Sequence, residues 1–294
     1  MVKKKGNFKK NSTALFEKVC KDIKDVKIQG AQNIAKAAIN ALLLKSDKSS
    51  IKKLISLRPT EPLLFNSLFR TLSFKEINHG VTNSLEHFKH AEKEIAKHGA
   101  NIIRDGDIIF THCHSSSVVK ILIEAKKQGK DFSVYNTETR PLFQGRKTSA
   151  ELAKNDILVT HIIDSAARHA IKHSTLVLFG ADAITNERIY NKIGSELYAI
   201  LAKDYGIPVF IAADSWKYDY SKGSIDEIPL EKRPTEEIWK NPPRGIRIEN
   251  PAFEKIKPEL IEGIISEMGI LPFKEFLFRV IARYPWLKEV HFKF

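Results

Sequence analysis

Reactive side chains follow short apolar runs in the second half of the sequence. Cys113 lies between two histidines shortly after the run 108–110, and Asp182 follows the run 176–179. A thiol near a helix N-terminus can have a lowered pKa, and a carboxyl group at the end of a buried strand can have a raised one. The two residues therefore predict a proton acceptor and a proton donor, the pair that general acid–base catalysis needs.

Each of these residues also has a structural interpretation. An unpaired cysteine is commonly a buried core residue, and an aspartate after a strand often caps a helix or a turn. His112, His114 and His169 could suggest a metal site, but no carboxylate stands at a typical ligand spacing. The sequence also lacks the motifs GxSxG, GxGxxG after the first strand, and GxxxxGK[ST]. A serine hydrolase, a dinucleotide-binding fold and a P-loop fold therefore lack their fingerprints.

Several basic residues are candidate phosphate ligands, because arginine binds phosphate through two hydrogen bonds and lysine binds it as a point charge. These candidates are Arg58, Arg140, Arg168, Lys192 and Lys217. Each can equally be an ordinary surface charge. Gly30 and Ala31 could let backbone amides approach an anion at a helix N-terminus. The net charge of +13 is typical of a lysine-rich soluble surface with a basic tail, and its sign also suits a small phosphorylated substrate. No nucleic-acid motif fits the sequence, so we do not expect nucleic acid as a partner.

The apolar pattern divides the 294 residues into two parts. Helical spacing dominates the first hundred residues, whereas from Asp107 short apolar strands alternate with helical segments, which predicts a parallel sheet covered on both faces. We predict an α/β protein with an N-terminal helical domain, residues 1–104, and a Rossmann-like catalytic domain, residues 105–294. The segments 259–265 and 274–284 are expected to be helical. Ligands bind beyond the carboxyl ends of parallel strands, where the reactive side chains collect.

Composition excludes other classes of protein. No run approaches the roughly 18 apolar residues of a membrane span, and the basic start has no apolar stretch behind it. The two cysteines form no CxxC pair, which excludes a disulfide framework and a cysteine-rich zinc site. We expect a cytoplasmic protein without a membrane partner.

A series of motifs runs in order along most of the chain. They are Gln29-Gly30-Ala31-Gln32, Arg58-Pro59-Thr60 with Asn66, Thr111-His112-Cys113-His114-Ser115, Glu138-Thr139-Arg140-Pro141, Gly180-Ala181-Asp182, Asn191-Lys192-Ile193-Gly194 and Asn250-Pro251-Ala252-Phe253. The series resembles the family of the translation initiation factor 2B alpha, beta and delta subunits and their related sugar-phosphate isomerases. Within it, the chain looks most like the archaeal ribose 1,5-bisphosphate isomerase.

The resemblance implies an aldose–ketose isomerase that converts ribose 1,5-bisphosphate to ribulose 1,5-bisphosphate in the salvage of AMP ribose. It implies Cys113, as thiolate, for the proton acceptor and Asp182, kept protonated, for the donor. The substrate-binding residues that it implies are Gln29, Gly30, Ala31, Gln32, Arg58, Arg140, Asn191, Lys192 and Lys217. It further implies no metal or organic cofactor, and a homo-oligomer, either a dimer or a hexamer.

Two departures from the family pattern leave alternatives open. Gln29 stands where the family has an arginine that helps to bind phosphate, and Gln32 replaces a glycine. The helical half is also shorter between Arg70 and Phe88 than in the related isomerases. A non-catalytic regulatory subunit would fit the two glutamines, whereas the retention of both Cys113 and Asp182 favours an enzyme. A methylthioribose-1-phosphate isomerase would share the catalytic pair but would need only one phosphate site.

Overall fold

The computed structural model describes residues 2–58, 60–221 and 232–292, so Pro59 of the Arg-Pro-Thr motif lies outside the described residues. Five helices form the first part of the chain: α1 (Val2–Lys24), α2 (Ala31–Ala41), α3 (Lys48–Ser56), α4 (Pro62–Leu72) and α5 (Ile77–Ile102). The apolar positions of α2 recur every three or four residues, and its face Ile34, Ala35, Ala38 and Ile39 is buried. None of the helices in the described ranges is long and apolar enough to cross a lipid bilayer.

The second part alternates strands and helices as the pattern predicted. Its elements are β1 (Asp107–Thr111), α6 (Ser116–Lys127), β2 (Phe132–Thr137), α7 (Gln144–Ala153), β3 (Leu158–Ile162), α8 (Ala167–Lys172), β4 (Leu176–Gly180), β5 (Ala183–Ile184), β6 (Ile189–Lys192), α9 (Ser195–Asp204), β7 (Val209–Ala212), β8 (Phe253–Ile256), β9 (Gly263–Ser266), β10 (Gly269–Leu271) and α10 (Phe273–Arg283). Seven strands form one sheet in the order β10-β9-β7-β4-β1-β2-β3. Every neighbouring pair is parallel except β10 with β9. The predicted α/β class is confirmed.

Helix α5 joins the two parts through a shared core. Its residues Ala91 and Ile95 belong to the same buried cluster as Ile109 of β1 and Leu122 of α6. The contact with α6 is so close that a Cβ atom at Gly99 would lie 2.4 Å from the Cδ1 atom of Ile121. The division into domains at residues 104 and 105 stays a prediction.

A second, smaller sheet was not predicted. Strands β5, β6 and β8 pair antiparallel beside the main sheet. The segment 259–265, predicted to be helical, instead supplies a short 3-10 turn and most of β9. The prediction was wrong because β9 pairs with β7 on one side and with β10 on the other, and this pairing overrides local helix propensity.

Candidate active site

One cavity of about 170 Å³ lies beyond the carboxyl ends of β1, β4 and β7 and is closed on the other side by the start of α2. Ten of the eleven residues predicted to act in catalysis or binding line it. They are Gln29, Gly30, Ala31, Gln32, Arg58, Cys113, Asp182, Asn191, Lys192 and Lys217. The parallel sheet therefore gathers residues that are separated by up to 188 positions in the sequence, from Gln29 to Lys217.

Arg140 is the candidate that the structure does not bring to the cavity. Its side chain is exposed, and the guanidinium carbon lies 4.9 Å from the centre of the Phe143 ring. The Arg140 backbone N–H donates to Asp164 Oδ2 at 2.7 Å, so Asp164 holds the backbone of this residue. Arg168 likewise lies over the ring of Tyr205. The geometry gives no support to phosphate binding by either arginine, and Gln144 from the same turn lines the cavity instead.

Cys113 occupies a strained turn between β1 and α6. Its φ angle of 67° lies in the left-handed region, which costs a residue with a side chain of order 1–3 kcal/mol. The surrounding structure holds the turn on both sides: the Cys113 N–H donates to Thr139 Oγ1 at 2.9 Å, and the Cys113 carbonyl accepts from Thr148 Oγ1 at 2.9 Å. Two threonines from neighbouring elements thus fix the backbone of the cysteine and the direction of its side chain.

Burial raises the pKa of the Cys113 thiol to about 12, and the negative charges of Asp182 and Asp164 raise it further. The charge of Lys192 and a hydrogen bond from the His114 backbone act in the opposite direction but do not outweigh burial. The predicted lowering of this pKa is therefore wrong. Helix α6 begins only at Ser116, and although the sulfur faces the cavity, the protein around it removes the water that would stabilise a thiolate.

This pKa predicts a slow reaction of Cys113 with iodoacetamide, which attacks the thiolate form. At about pH 8 the thiolate fraction of a thiol with a pKa near 12 is on the order of 1000-fold below that of an unfolded cysteine. We expect the alkylation rate of the native protein to keep rising up to the highest pH at which it stays folded. A Cys20→Ala background assigns the signal to Cys113. A plateau of the native rate near pH 9 would contradict the raised pKa.

Asp182 follows β4 and enters the cavity where the main sheet meets the small one. Its backbone N–H donates to the Tyr190 carbonyl at 2.8 Å. Gly180, two positions earlier, touches the Cys113 side of the site, because a Cβ atom there would lie 2.5 Å from Ser115 Oγ. The glycine of the Gly-Ala-Asp motif thus allows the end of β4 to approach the turn after β1, which places Asp182 and Cys113 on the same cavity.

The Asn-Lys-Ile-Gly motif supplies another wall. Asn191 and Lys192 end the buried strand β6, and Asn191 Nδ2 donates to Ser195 Oγ at 2.9 Å. The Ser195 hydroxyl in turn donates to the Lys192 carbonyl at 2.7 Å. Gly194 has a φ angle of 105° and packs against the ring of Tyr198, so a side chain at this position would be strained. The glycine therefore allows the chain to turn directly into α9 after presenting Lys192.

His112 is buried and neutral, and it joins the end of β2 to the Asn-Lys-Ile-Gly motif. Burial lowers its pKa to about 4, against the opposing effect of its bond to Ile193 and the charge of Asp164. Because a carbonyl only accepts, Nε2–H donates to the Ile193 carbonyl at 2.9 Å, and Nδ1 accepts from the Thr137 hydroxyl at 2.5 Å. Both ring nitrogens are engaged, so His112 is not arranged as a metal ligand.

The lowered pKa of His112 predicts a loss of stability in acid. His112 gains a proton near pH 6.5 in the unfolded state but only near pH 4 in the folded state. Its effect on the free energy of unfolding is therefore fully favourable above about pH 6.5 and is lost as the pH falls from 6.5 to 4. We expect the free energy of unfolding in urea to fall by up to about 3 kcal/mol more in wild type than in His112→Gln over this range. Parallel pH profiles of the two proteins would contradict the assignment.

Lys217 reaches the cavity from a 3-10 turn, Ser215–Lys217, that begins directly after Asp214. Its ammonium donates to the Ala181 carbonyl at 2.5 Å, next to Asp182. Asp214 Oδ1 anchors this turn by accepting from His87 Nε2 and from the Trp216 N–H, both at 2.9 Å. The His87 ring also stacks on Trp216 with 3.7 Å between the ring centres. The turn that carries Lys217 is therefore fixed from the helical part of the chain.

His87, Asp214 and Glu267 form a compact cluster beside the cavity, which Asp214 also lines, with one potential ligand atom of each within 4.8 Å of the others. Burial and the charge of Asp214 raise the pKa of Glu267, and Ser215 donates to the Glu267 carboxylate through its backbone N–H and its hydroxyl. His87 is thus hydrogen-bonded to Asp214, and Ser215 joins Glu267 to the turn that follows Asp214.

The start of α2 contributes backbone groups rather than charge. Gly30, with a φ angle of 85°, precedes the first residue of the helix. Gln29, the residue in place of the family arginine, is exposed, and its side-chain amide donates to the Val26 carbonyl at 2.9 Å. The Gln32 amide bridges to the Phe88 carbonyl of α5 at 3.3 Å. Arg58 lies 3.8 Å from Glu61, which also lines the cavity.

Sequence reasoning missed several residues that line the cavity. They include Glu61, Glu92, Lys120, Gln144, Arg233 and Glu237. The serines after Cys113 gave a usable signal, because Ser116 and Ser117 open α6 and their backbone N–H groups lie at a helix N-terminus, where anions bind. The sequence around Arg233 gave no such signal, because the residue lies in a polar stretch that is predicted to be a loop.

Comparison with known proteins gives consistent matches. A model of the initiation factor 2 subunit family matches residues 2–273. A ribose 1,5-bisphosphate isomerase of Thermococcus kodakarensis is 36% identical over 86% of this chain and 90% of that protein. A methylthioribose-1-phosphate isomerase of Fervidobacterium nodosum is 34% identical over 84% of this chain and 80% of that protein. The structure of translation initiation factor eIF-2B from Pyrococcus horikoshii is similar with a TM-score of 0.79 and 26% identity, covering 87% and 96% of the two chains.

Proposed function

The chain belongs to the initiation factor 2 subunit family, and from this premise we propose that it is an isomerase converting ribose 1,5-bisphosphate to ribulose 1,5-bisphosphate. The observation that carries the proposal is the meeting of Cys113 and Asp182 on one cavity, where the charge of Asp182 acts on the Cys113 thiol. A proton acceptor and a proton donor facing one small cavity are what an aldose–ketose isomerisation requires.

The proposed reaction moves two protons out of the sugar and two into it. Asp182 donates a proton to the ring oxygen as its bond to C1 breaks, and Cys113, as thiolate, accepts the proton of C2. The resulting enol becomes a ketone when Asp182 takes the proton of the C2 hydroxyl and Cys113 returns a proton to C1. Both groups end in their starting protonation states, so the cycle balances.

These roles require that Cys113 and Asp182 hold one proton between them, with Asp182 protonated and Cys113 a thiolate. The raised pKa of Cys113 favours the thiol form. Transfer of that proton to the Asp182 carboxylate yields the reactive pair without changing the total charge. The charge of Lys192 favours the step, because it stabilises the thiolate.

The cavity suits a phosphorylated sugar. The N-termini of α2 and α6 both open onto it, and a helix N-terminus presents unpaired N–H groups and a partial positive charge to an anion. Arg58, Lys192 and Lys217 add positive charge, and Asn191 adds a group that can bond a sugar hydroxyl. These features support a substrate with two phosphates, and no metal or organic cofactor enters the proposed steps.

One observation favours the second candidate, a methylthioribose-1-phosphate isomerase. Gln29 provides no charge and its amide bonds to Val26, which weakens one potential phosphate site. Purified protein should be assayed with both sugars. We expect kcat/KM to be higher for ribose 1,5-bisphosphate. A higher value for methylthioribose 1-phosphate would select the second enzyme, and inactivity with both would favour the non-catalytic regulatory subunit.

We further propose that the reaction serves the salvage of AMP ribose in the cytoplasm and that the protein acts as a homo-oligomer, a dimer or a hexamer. The two cysteines, Cys20 and Cys113, are both unpaired, in agreement with a reducing compartment.

A further inference from the structure

Arg233 lines the cavity in a stretch of the chain that carries no predicted role. We propose that Arg233 is a substrate-binding residue that contacts a phosphate of the sugar, supplying the positive charge that Gln29 lacks and favouring a doubly phosphorylated substrate. The inference rests on the proposed isomerase function and adds a specificity-determining residue to it.

The local need for such a charge follows from the other cations around the cavity. Arg58 lies beside Glu61, and Lys120 is paired with Glu92. Lys217 already donates to the Ala181 carbonyl. Each of these partners offsets part of the positive charge or occupies a donor, as Glu237 also does for Arg233. A sugar with two phosphates brings close to four negative charges at neutral pH, so several cations around the cavity are needed to balance it.

The side chain of Arg233 is held ready for an anion with two oxygens. Its Nε and Nη2 atoms donate to the two carboxylate oxygens of Glu237, with Nε 3.3 Å from Oε2 and Nη2 2.5 Å from Oε1. The side chain is only 18% exposed, so its rotamers are restricted. A phosphate presents the same pair of oxygens to a guanidinium as a carboxylate does, so in this proposal a phosphate of the substrate takes the place of Glu237 on this fork.

The Asn-Pro-Ala-Phe motif fixes this arginine to the rest of the site. The Arg233 N–H donates to the Asn250 carbonyl at 2.9 Å. The buried Asn250 side chain donates to the Pro234 carbonyl at 2.8 Å and to Glu237 Oε2 at 3.3 Å. Two residues later, the Ala252 carbonyl accepts from the Ile193 N–H at 3.1 Å, next to Lys192. The motif thus couples Arg233 to the wall that carries Lys192.

The test measures equilibrium binding, so that it does not depend on turnover. Ribose 1,5-bisphosphate and inorganic phosphate are titrated into the Cys113→Ser protein alone and with Arg233→Gln, Arg233→Lys or Arg247→Gln added. Arg247 is the matched control, because it loses the same charge in the same stretch but is 87% exposed. We expect Arg233→Gln to weaken sugar binding about 10- to 100-fold, the value of one charged hydrogen-bonded contact. The affinity of Arg233→Lys for the sugar should fall between those of the parent and Arg233→Gln, and the affinity of Arg247→Gln should stay within about 2-fold of the parent.

The outcomes separate this inference from the proposed function. Equal affinity of Arg233→Gln and the parent for both ligands, with an unchanged melting temperature, would overturn the role of Arg233. An equal loss of affinity in Arg247→Gln would also overturn the role of Arg233, because the loss would then follow from the lower net charge of the protein. Failure of the parent to bind the sugar, together with no turnover by wild type, would overturn the proposed function, and the phosphate titration would still decide the role of Arg233. If Arg233→Gln does not fold, the charge-retaining Arg233→Lys carries the comparison.

Discussion

Cys113→Ser is expected to lower the turnover of ribose 1,5-bisphosphate by at least about 1000-fold and to leave the fold intact, because a hydroxyl replaces the only group proposed to take the proton from C2. Serine matches the size of cysteine, and the two hydrogen bonds that hold the turn involve only the backbone of residue 113. The measurement is kcat for wild type and variant, with circular dichroism and thermal unfolding to verify the fold.

Cys20→Ala is the matched control for this experiment. Cys20 is the other cysteine of the chain and lies in the core of the helical part, away from the cavity. Its substitution should reduce stability modestly and leave kcat within about 2-fold of wild type. A Cys113→Ser enzyme that retains a tenth or more of the wild-type kcat would remove the thiol from the proposed mechanism.

Asp182→Asn is expected to lower kcat by about 100- to 10,000-fold, the usual contribution of a positioned general acid or base. The amide has nearly the same shape but cannot give a proton to the ring oxygen or take one from the C2 hydroxyl. The same change removes a negative charge that raises the pKa of Cys113. The variant should therefore lose turnover while its Cys113 becomes more reactive toward iodoacetamide, and this opposite response marks an electrostatically coupled pair.

Asp131→Asn serves as the control, because the Asp131 carboxylate is 94% exposed and pairs only loosely with Lys126. It should change neither kcat nor the alkylation rate beyond about 2-fold. Wild-type turnover in Asp182→Asn would exclude this carboxyl group as the donor. A loss of turnover with no change in thiol reactivity would show that the two groups act independently.

Much of the fold and the location of the site could be predicted from the sequence. Alternating apolar strands and helical segments specified a parallel sheet, and the confirmed family resemblance rests on motifs that the same sheet edge brings together. The glycines of two motifs have a structural reason. A side chain at Gly180 would collide with Ser115, and Gly194 adopts a positive φ angle where the chain turns toward α9. The placement of Cys113 and Asp182 on one cavity follows from topology alone.

Other features depend on contacts that a linear sequence does not display. The pKa of Cys113 depends on how many protein atoms surround the sulfur, and local sequence suggested the opposite direction. Arg140 sits in a matching motif, but its side chain is exposed and does not line the cavity. Arg233 lines the cavity, and its backbone is hydrogen-bonded to Asn250, 17 positions later in the sequence. Strand β9 exists because β7 and β10 flank it.

The proposed reaction turns C2 of ribose 1,5-bisphosphate from an alcohol carbon into a ketone carbon. Carbon NMR of substrate labelled with ¹³C at C2 observes that change directly and needs no coupling enzyme. We predict that wild type shifts the label to the ketone resonance of ribulose 1,5-bisphosphate, whereas Cys113→Ser and Asp182→Asn leave it at the alcohol resonance. A label that stays at the alcohol position with folded wild type would contradict the account.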